Sequence, residues 1–404
     1  MNASKIVVLT AVAAVSTAFA DTMDRSGIKI GSGQRMTLRP YVSLSYTYDS
    51  NVDSSKHGQD GSQWVVNPGL VLEYKDDNWD VTATAYYNYH AYNRYTSQLN
   101  SSSYGQTLDF KWVDAARDER GWLFQMEESF RQVAQDDDMS NSKGRGIGRD
   151  RKEFKVNGIL QRRVNQYLFA TALAGFYLLD YDNDVSKYAR LYGWKSTVVG
   201  GELGYIATKW TSFLVHGDYQ WYWQDNTDNT GIGDTSRGYT IQAGLCSYAT
   251  ERIEYRLLGG WSYFDFGNGT HTLDGFTYKA SAKYKVGDHL DLVAFGSSYF
   301  QPSEYNLGTA MKVNTFSVGL QERFVDNLRG TLDLAYRNES YEYSTSGARY
   351  DTDIWTGRVG LTYKLNRFVH LFGRVEYQIS TTTRVSHSYD YDRIRGTVGV
   401  RLTY

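Results

Sequence analysis

Along the last third of the chain, basic residues recur on alternate positions: Arg323, Arg329 and Arg337, then Arg358, Lys364 and Arg374, then Arg393, Arg395 and Arg401. Only Asp333, Glu339 and Glu376 share their phase, and Lys279, Lys283 and Lys285 repeat the pattern earlier. Cationic groups gathered on one surface make and break no bonds. They concentrate anions and favour their passage, the more so between low-dielectric walls. The plainer reading is a wetted surface charged for solvation and partly paired across neighbouring strands. A second set of charges lies in the polar stretch 135–149, where Asp136, Asp137 and Asp138 precede Lys143, Arg145 and Arg149. Folded into a passage, this segment would set acidic against basic groups across a constriction; left outside, it is a solvated loop.

Other chemistries find no footing. Cys246 is the only cysteine, which excludes an intramolecular disulfide and cysteine zinc sites. The seven histidines are scattered, without a His-x-x-x-His or His-Glu pair, and no Gly-x-Ser-x-Gly occurs. His387-Ser388 lacks a third member. The acidic stretches Asp180–Asp184 and Asp225–Asp228 lack the spacing and terminal glutamate of a calcium loop. No catalytic residue, metal ion or cofactor is therefore expected. With 43 basic against 45 acidic residues, nucleic acid is not an expected partner.

The elements that must position these residues are strands. From Arg393 to Tyr404 the alternation is strict: Ile394, Gly396, Val398, Val400, Leu402 and Tyr404 fall on one face, the arginines on the other. The same period of two runs through 353–365 and 368–380, and near the start through 79–94. Tight turns such as Lys75–Asn78, Gly287-Asp288, Asp326-Asn327 and Asn366-Arg367 alternate with long polar connections such as 49–62, 135–149 and 381–391. Short turns at one end and long loops at the other describe a transmembrane antiparallel up-and-down β-barrel. About 18 strands fit between residues 36 and 404, with both termini periplasmic. Sixteen stays open, because 166–180 is apolar on both faces and hard to phase.

Composition agrees. There are 35 Tyr, 17 Phe and 10 Trp but only 3 Pro, and the mean hydropathy is −0.52. A barrel wall needs an apolar outer band with aromatic girdles and a polar inside, so a low average is expected. Trp79, Trp221, Trp223, Trp261, Tyr263, Trp355 and Tyr404 fall in the apolar phase and are expected at the membrane interfaces. Tyr86, Tyr92, Tyr222 and Phe264 fall in the polar phase, where they would be candidates for stacking sugars. Residues 1–20 read as a signal peptide, with Lys5, an apolar run from Ile6 to Ala14, and Ala18-Phe19-Ala20 before the cleavage point. Residues 21–35 make a short periplasmic lead, too small for a plug.

Two stretches carry a family resemblance. The C-terminal Gly396–Tyr404 ends on an aromatic preceded by alternating apolar residues, and resembles the signal that barrel-assembly machinery reads. That signal usually ends in Phe, so Tyr404 is a mild departure. The opening strand, Leu38–Asn51, has a Pro-led run into Tyr48-Asp49-Ser50-Asn51. It is similar to the first strand of the outer-membrane β-barrel porins found beside exopolysaccharide and exosortase gene clusters. The resemblance implies a porin-like barrel in the bacterial outer membrane, contacting lipid and the assembly machinery. The function expected is passive diffusion of small hydrophilic solutes, leaning to anions, through a barrel that is a monomer or homo-oligomer. Dedicated export or uptake of a polysaccharide or oligosaccharide remains open, as does a structural barrel with a closed lumen.

Overall fold

Strands form in all eighteen places expected between residues 36 and 404, including the segment without a clear period of two. The structure, a computed structural model, describes residues 27–30, 35–52, 60–93, 100–114, 121–133, 151–181, 193–208, 210–224, 235–247, 252–265, 272–302, 310–342, 349–383 and 390–404. The signal segment, the charged stretch 135–149 and the loops holding Asp184, Asp228 and His387 lie outside the described residues. In chain order the strands are β1 (Ile28–Ile30), β2 (Met36–Asp49), β3 (Gly61–Lys75), β4 (Trp79–Tyr92), β5 (Ser101–Val113), β6 (Trp122–Val133), β7 (Arg151–Arg163), β8 (Leu168–Tyr181) and β9 (Trp194–Ile206). There follow β10 (Thr211–Gln224), β11 (Thr235–Ser247), β12 (Ile253–Asp265), β13 (Thr272–Val286), β14 (Leu290–Pro302), β15 (Ala310–Val325), β16 (Leu328–Glu342), β17 (Arg349–Lys364), β18 (Val369–Thr382) and β19 (Tyr391–Thr403).

Each of β2 to β19 pairs antiparallel with its neighbours in sequence, and β19 returns to β2 with Arg395 opposite Asp49 and Thr403 opposite Tyr41. Closure removes the free edges whose N–H and C=O groups hydrocarbon cannot satisfy. The first barrel strand begins, and the last ends, at the end of the barrel that carries the short turns. There Asp76 shapes the β3–β4 turn, accepting from the Tyr74 hydroxyl (2.7 Å) and from the backbone N–H groups of Asn78 and Trp79. The Tyr74 hydrogen bond, then the two from the backbone, hold its carboxyl below the usual carboxylate range.

Within the lead, Ile28–Ile30 forms a short strand. β1 pairs with Met36–Leu38 of β2. Because β3 holds one edge of β2 along its whole length, β1 takes the other edge, just below the point where β19 stops.

Residues in register share a face, so the two faces follow around the whole barrel. Outward lie Val398, Leu203 and Ile241, each about three-fifths exposed. Inward lie Arg393, Gln378 and Gln242, all fully buried. All seven aromatics expected at the interfaces face outward: Trp79 and Tyr404 near the short-turn end, Trp221, Trp223, Trp261, Tyr263 and Trp355 toward the other. On β4, Trp79 and Tyr89 stand ten residues apart, about 33 Å along a strand and about 25 Å across a membrane at a tilt near 40°. That matches the height of a barrel's apolar band.

The wall departs from a plain cylinder at one place. β13 stays paired with β12 up to Thr272, and β14 with β15 up to Pro302, but the β13–β14 ladder stops at Lys279 opposite Ser297. Above that point β14 tucks inside. Phe300, on the outward side of β14, packs against the inward Tyr222 and Phe264, and the Tyr222 hydroxyl donates to the Phe300 carbonyl. The Lys312 ammonium donates to the Phe276 carbonyl (3.0 Å) on the edge of β13 that is left without a strand partner. Pro302 at the end of the tuck has no N–H to leave unsatisfied.

Candidate functional site: the inner wall

The nine basic residues of β15 to β19 all face the lumen, and register decides which of them meet carboxylates. One row across five strands alternates in sign: Asp333, Arg358, Glu376, Arg395 and Asp49. Arg358 Nε donates to Glu376 Oε2 at 2.8 Å, and Arg374 Nη2 reaches the same oxygen at 3.3 Å. Asp49 is clamped between Arg393 Nε, at 2.8 and 2.9 Å from its two oxygens, and Arg395 Nε at 3.1 Å. On the facing part of the wall Glu153 receives Arg131 (2.7 Å) and Arg151 (2.5 Å). Three carboxylates are thus each shared by two arginines, and each trio keeps a net positive charge. Arg337 is matched one to one by Glu339, at 2.7 Å.

Nearer the short-turn end the register rows hold no carboxylate. Arg323 lies directly opposite Arg329, and that row continues through Thr362, Phe372 and Gly399. The next row holds Lys364, His370, Arg401 and Ser43. Arg323 Nη2 donates to the Asp288 carbonyl at 3.2 Å and lies 3.3 Å from His289 Nδ1. The Arg401 guanidinium sits 4.9 Å from the centre of the Tyr41 ring. Like charges placed directly opposite are unfavourable in a sheet, and a high-dielectric lumen lowers that cost.

The wall from β8 to β13 is built differently. Its middle is a charged cluster: Arg256 Nη1 donates to Glu202 at 3.1 Å, His216 Nε2 lies 2.9 Å from Asp218, and the Lys279 ammonium lies 3.7 Å from Asp218. His216 thus faces carboxylates on both sides. Toward the long-loop end Leu179, Trp194, Tyr222, Phe264 and Phe300 form a buried apolar cluster inside the barrel. Tyr222 and Phe264 are therefore covered and cannot stack a sugar, which corrects the sequence expectation. Tyr86 lies over Gly105 of the next strand, where a Cβ would come 2.6 Å from its hydroxyl. The apolar inward residues of β8 explain why 166–180 resisted phasing: both of its faces are covered, one by the cluster and one by membrane.

These features define a closed antiparallel β-barrel of the transmembrane type: eighteen strands closed on themselves, apolar outside, ionic within. Residues 213–404, from β10 to the end, match the family described as "Putative beta-barrel porin 2". The match includes the C-terminal strand and the whole basic wall, and leaves out the opening strand. No curated protein matches the sequence. Among solved structures, the chain is similar to the outer membrane protein OpdK of Pseudomonas aeruginosa, at 13% identity over 91% of this chain and 99% of that one, TM-score 0.43. The outer membrane channel DcaP of Acinetobacter baumannii gives 13% identity over 94% and 100%, TM-score 0.43. A loop-deleted OmpT of Vibrio cholerae gives 12% over 92% and 100%, TM-score 0.38.

Proposed function

We propose that the protein is an outer-membrane channel for small hydrophilic solutes that passes anions ahead of cations. It would reach the membrane after cleavage near Ala20, with both chain ends in the periplasm. The observation that carries this reading is the imbalance of the wall formed by β15 to β19 and β2. Nine basic side chains of β15 to β19 face four carboxylates there, Asp49 of β2 with Asp333, Glu339 and Glu376, while Arg39 of β2 is matched by Glu73 of β3. The surplus is concentrated at the short-turn mouth around Arg323 and Arg401. A fixed positive field inside low-dielectric walls raises the local anion concentration without binding any one solute tightly.

The test is electrical. The purified barrel, reconstituted in a planar bilayer under a salt gradient, is expected to open in discrete steps with a reversal potential on the chloride side. A bilayer that stays silent overturns the channel reading in favour of a closed structural barrel. A potassium-side potential overturns the anion preference alone. The same preparation examines the tucked strand. Phe300→Ala removes the side chain that holds β14 against Tyr222 and Phe264, at a stability cost of about 3 kcal/mol. Its single-channel conductance is expected to exceed that of the wild type, because β14 no longer narrows the long-loop end. An unchanged conductance would show that the narrowest part of the path lies elsewhere.

A further inference from the structure

Well inside the two aromatic girdles, an acid and an amide face outward side by side on neighbouring strands: Gln106 on β5 and Glu128 on β6. Each stands six residues above an outward tryptophan, Trp112 or Trp122, and two below the packed rings of Tyr104 and Phe130. That places a carboxylate well inside the hydrocarbon layer, pointing away from the lumen. Gln106 Nε2 donates to Glu128 Oε1 at 3.2 Å, which uses one oxygen of the acid and one N–H of the amide. A second carboxylate oxygen, a second amide N–H and the amide carbonyl still face outward. Lipid chains offer them nothing, and an ionic group facing hydrocarbon is strongly disfavoured.

We propose that this face is covered by a second copy of the same chain, related by a two-fold axis running along the membrane normal between β5 and β6. Insertion in the membrane fixes both copies upright, so residues meet their counterparts at equal height. The pair presents a donor and acceptors together, and is therefore self-complementary: the remaining Gln106 N–H of one copy donates to Glu128 of its partner, and the reverse. The flanks allow the approach. On β4 the residues outward beside the pair are Ala83 and Ala85; on β7 Val156 lies directly opposite Glu128, with Gly158 two residues further down. The small side chains of Ala83 and Ala85 on one flank, and Gly158 on the other, let two curved walls come close enough for the central hydrogen bonds. The inference rests on the membrane-barrel reading and not on conduction, so a silent bilayer leaves it standing.

The test is oxidative cross-linking in isolated outer membranes. Gln106→Cys is compared with Val359→Cys, which is outward on β17 on another part of the wall. Unsubstituted protein, whose Cys246 is buried, supplies the background. Only protein that keeps the heat-modifiable mobility of a folded barrel is scored. Gln106→Cys is expected to convert most of the chain to a disulfide-linked dimer, with Val359→Cys staying at background. No dimer at 106, or equal dimer at both positions, overturns the proposal. Independently, Ala85→Trp is expected to halve the mass of the detergent-solubilised protein measured by light scattering. A wild-type protein already at monomer mass also overturns it.

Discussion

Replacing Asp49 by alanine is expected to cost the barrel about 3–5 kcal/mol, the largest stability loss of any single substitution considered for this protein. Asp49 is buried at the seam where the last strand meets the first, and there it receives Arg393 and Arg395 together with the backbone N–H of Asn51. Removing it leaves two guanidinium groups facing each other, one of them almost wholly enclosed. A buried charge without its partner loses the attraction and keeps the desolvation penalty. The double variant Asp49→Ala with Arg393→Leu should recover much of the loss, since it removes the stranded charge as well. Denaturant unfolding of the lipid-reconstituted barrel, followed by tryptophan fluorescence, measures both. A single variant within about 1 kcal/mol of the wild type would mean that water reaches Arg393 and the seam holds by backbone pairing alone.

The strands and their two faces were legible in the sequence because one face meets lipid and the other water, and a period of two records that contrast directly. Ile394 to Tyr404 needed no partner strand to be read. Register needed one. The phase of Arg393 and Arg395 says that they face inward, but nothing near them in sequence names Asp49, some 344 residues away, as the carboxylate they share. The wall therefore read as nine basic residues against three acids, when register supplies a fourth acid and gathers the surplus at one mouth. The short β1 escaped because three residues in a polar lead carry no period. The tuck of β14 was equally silent: Ser298 and Phe300 continue the outward alternation, and only Pro302 hints that the strand has left its neighbour. Inside β8, a lumenal face made of Phe169, Leu173, Tyr177 and Leu179 erased the contrast on which phasing depends.

Reversing the charge of the mouth should reverse the ion it prefers. In the double variant Arg323→Glu with Arg401→Glu two cations become two anions, while the alternating row from Asp333 to Asp49 is untouched. About 6 Å from the path of an ion, one unit charge contributes about 0.7 kcal/mol in bulk water and about 2.8 kcal/mol at an effective dielectric constant near 20. A wetted pore lies between these limits, and four units of charge difference act at once. Even with screening over about 10 Å in 0.1 M salt, the ratio of anion to cation permeability should fall by at least about tenfold. The reversal potential should then change sign. In 1 M salt, where screening shortens to about 3 Å, the difference between variant and wild type should largely vanish. Persistence of the wild-type preference in 0.1 M salt would show that selection occurs at the paired arginines deeper in the wall. The surplus held by the trios around Asp49, Glu153 and Glu376 would then have to supply the field.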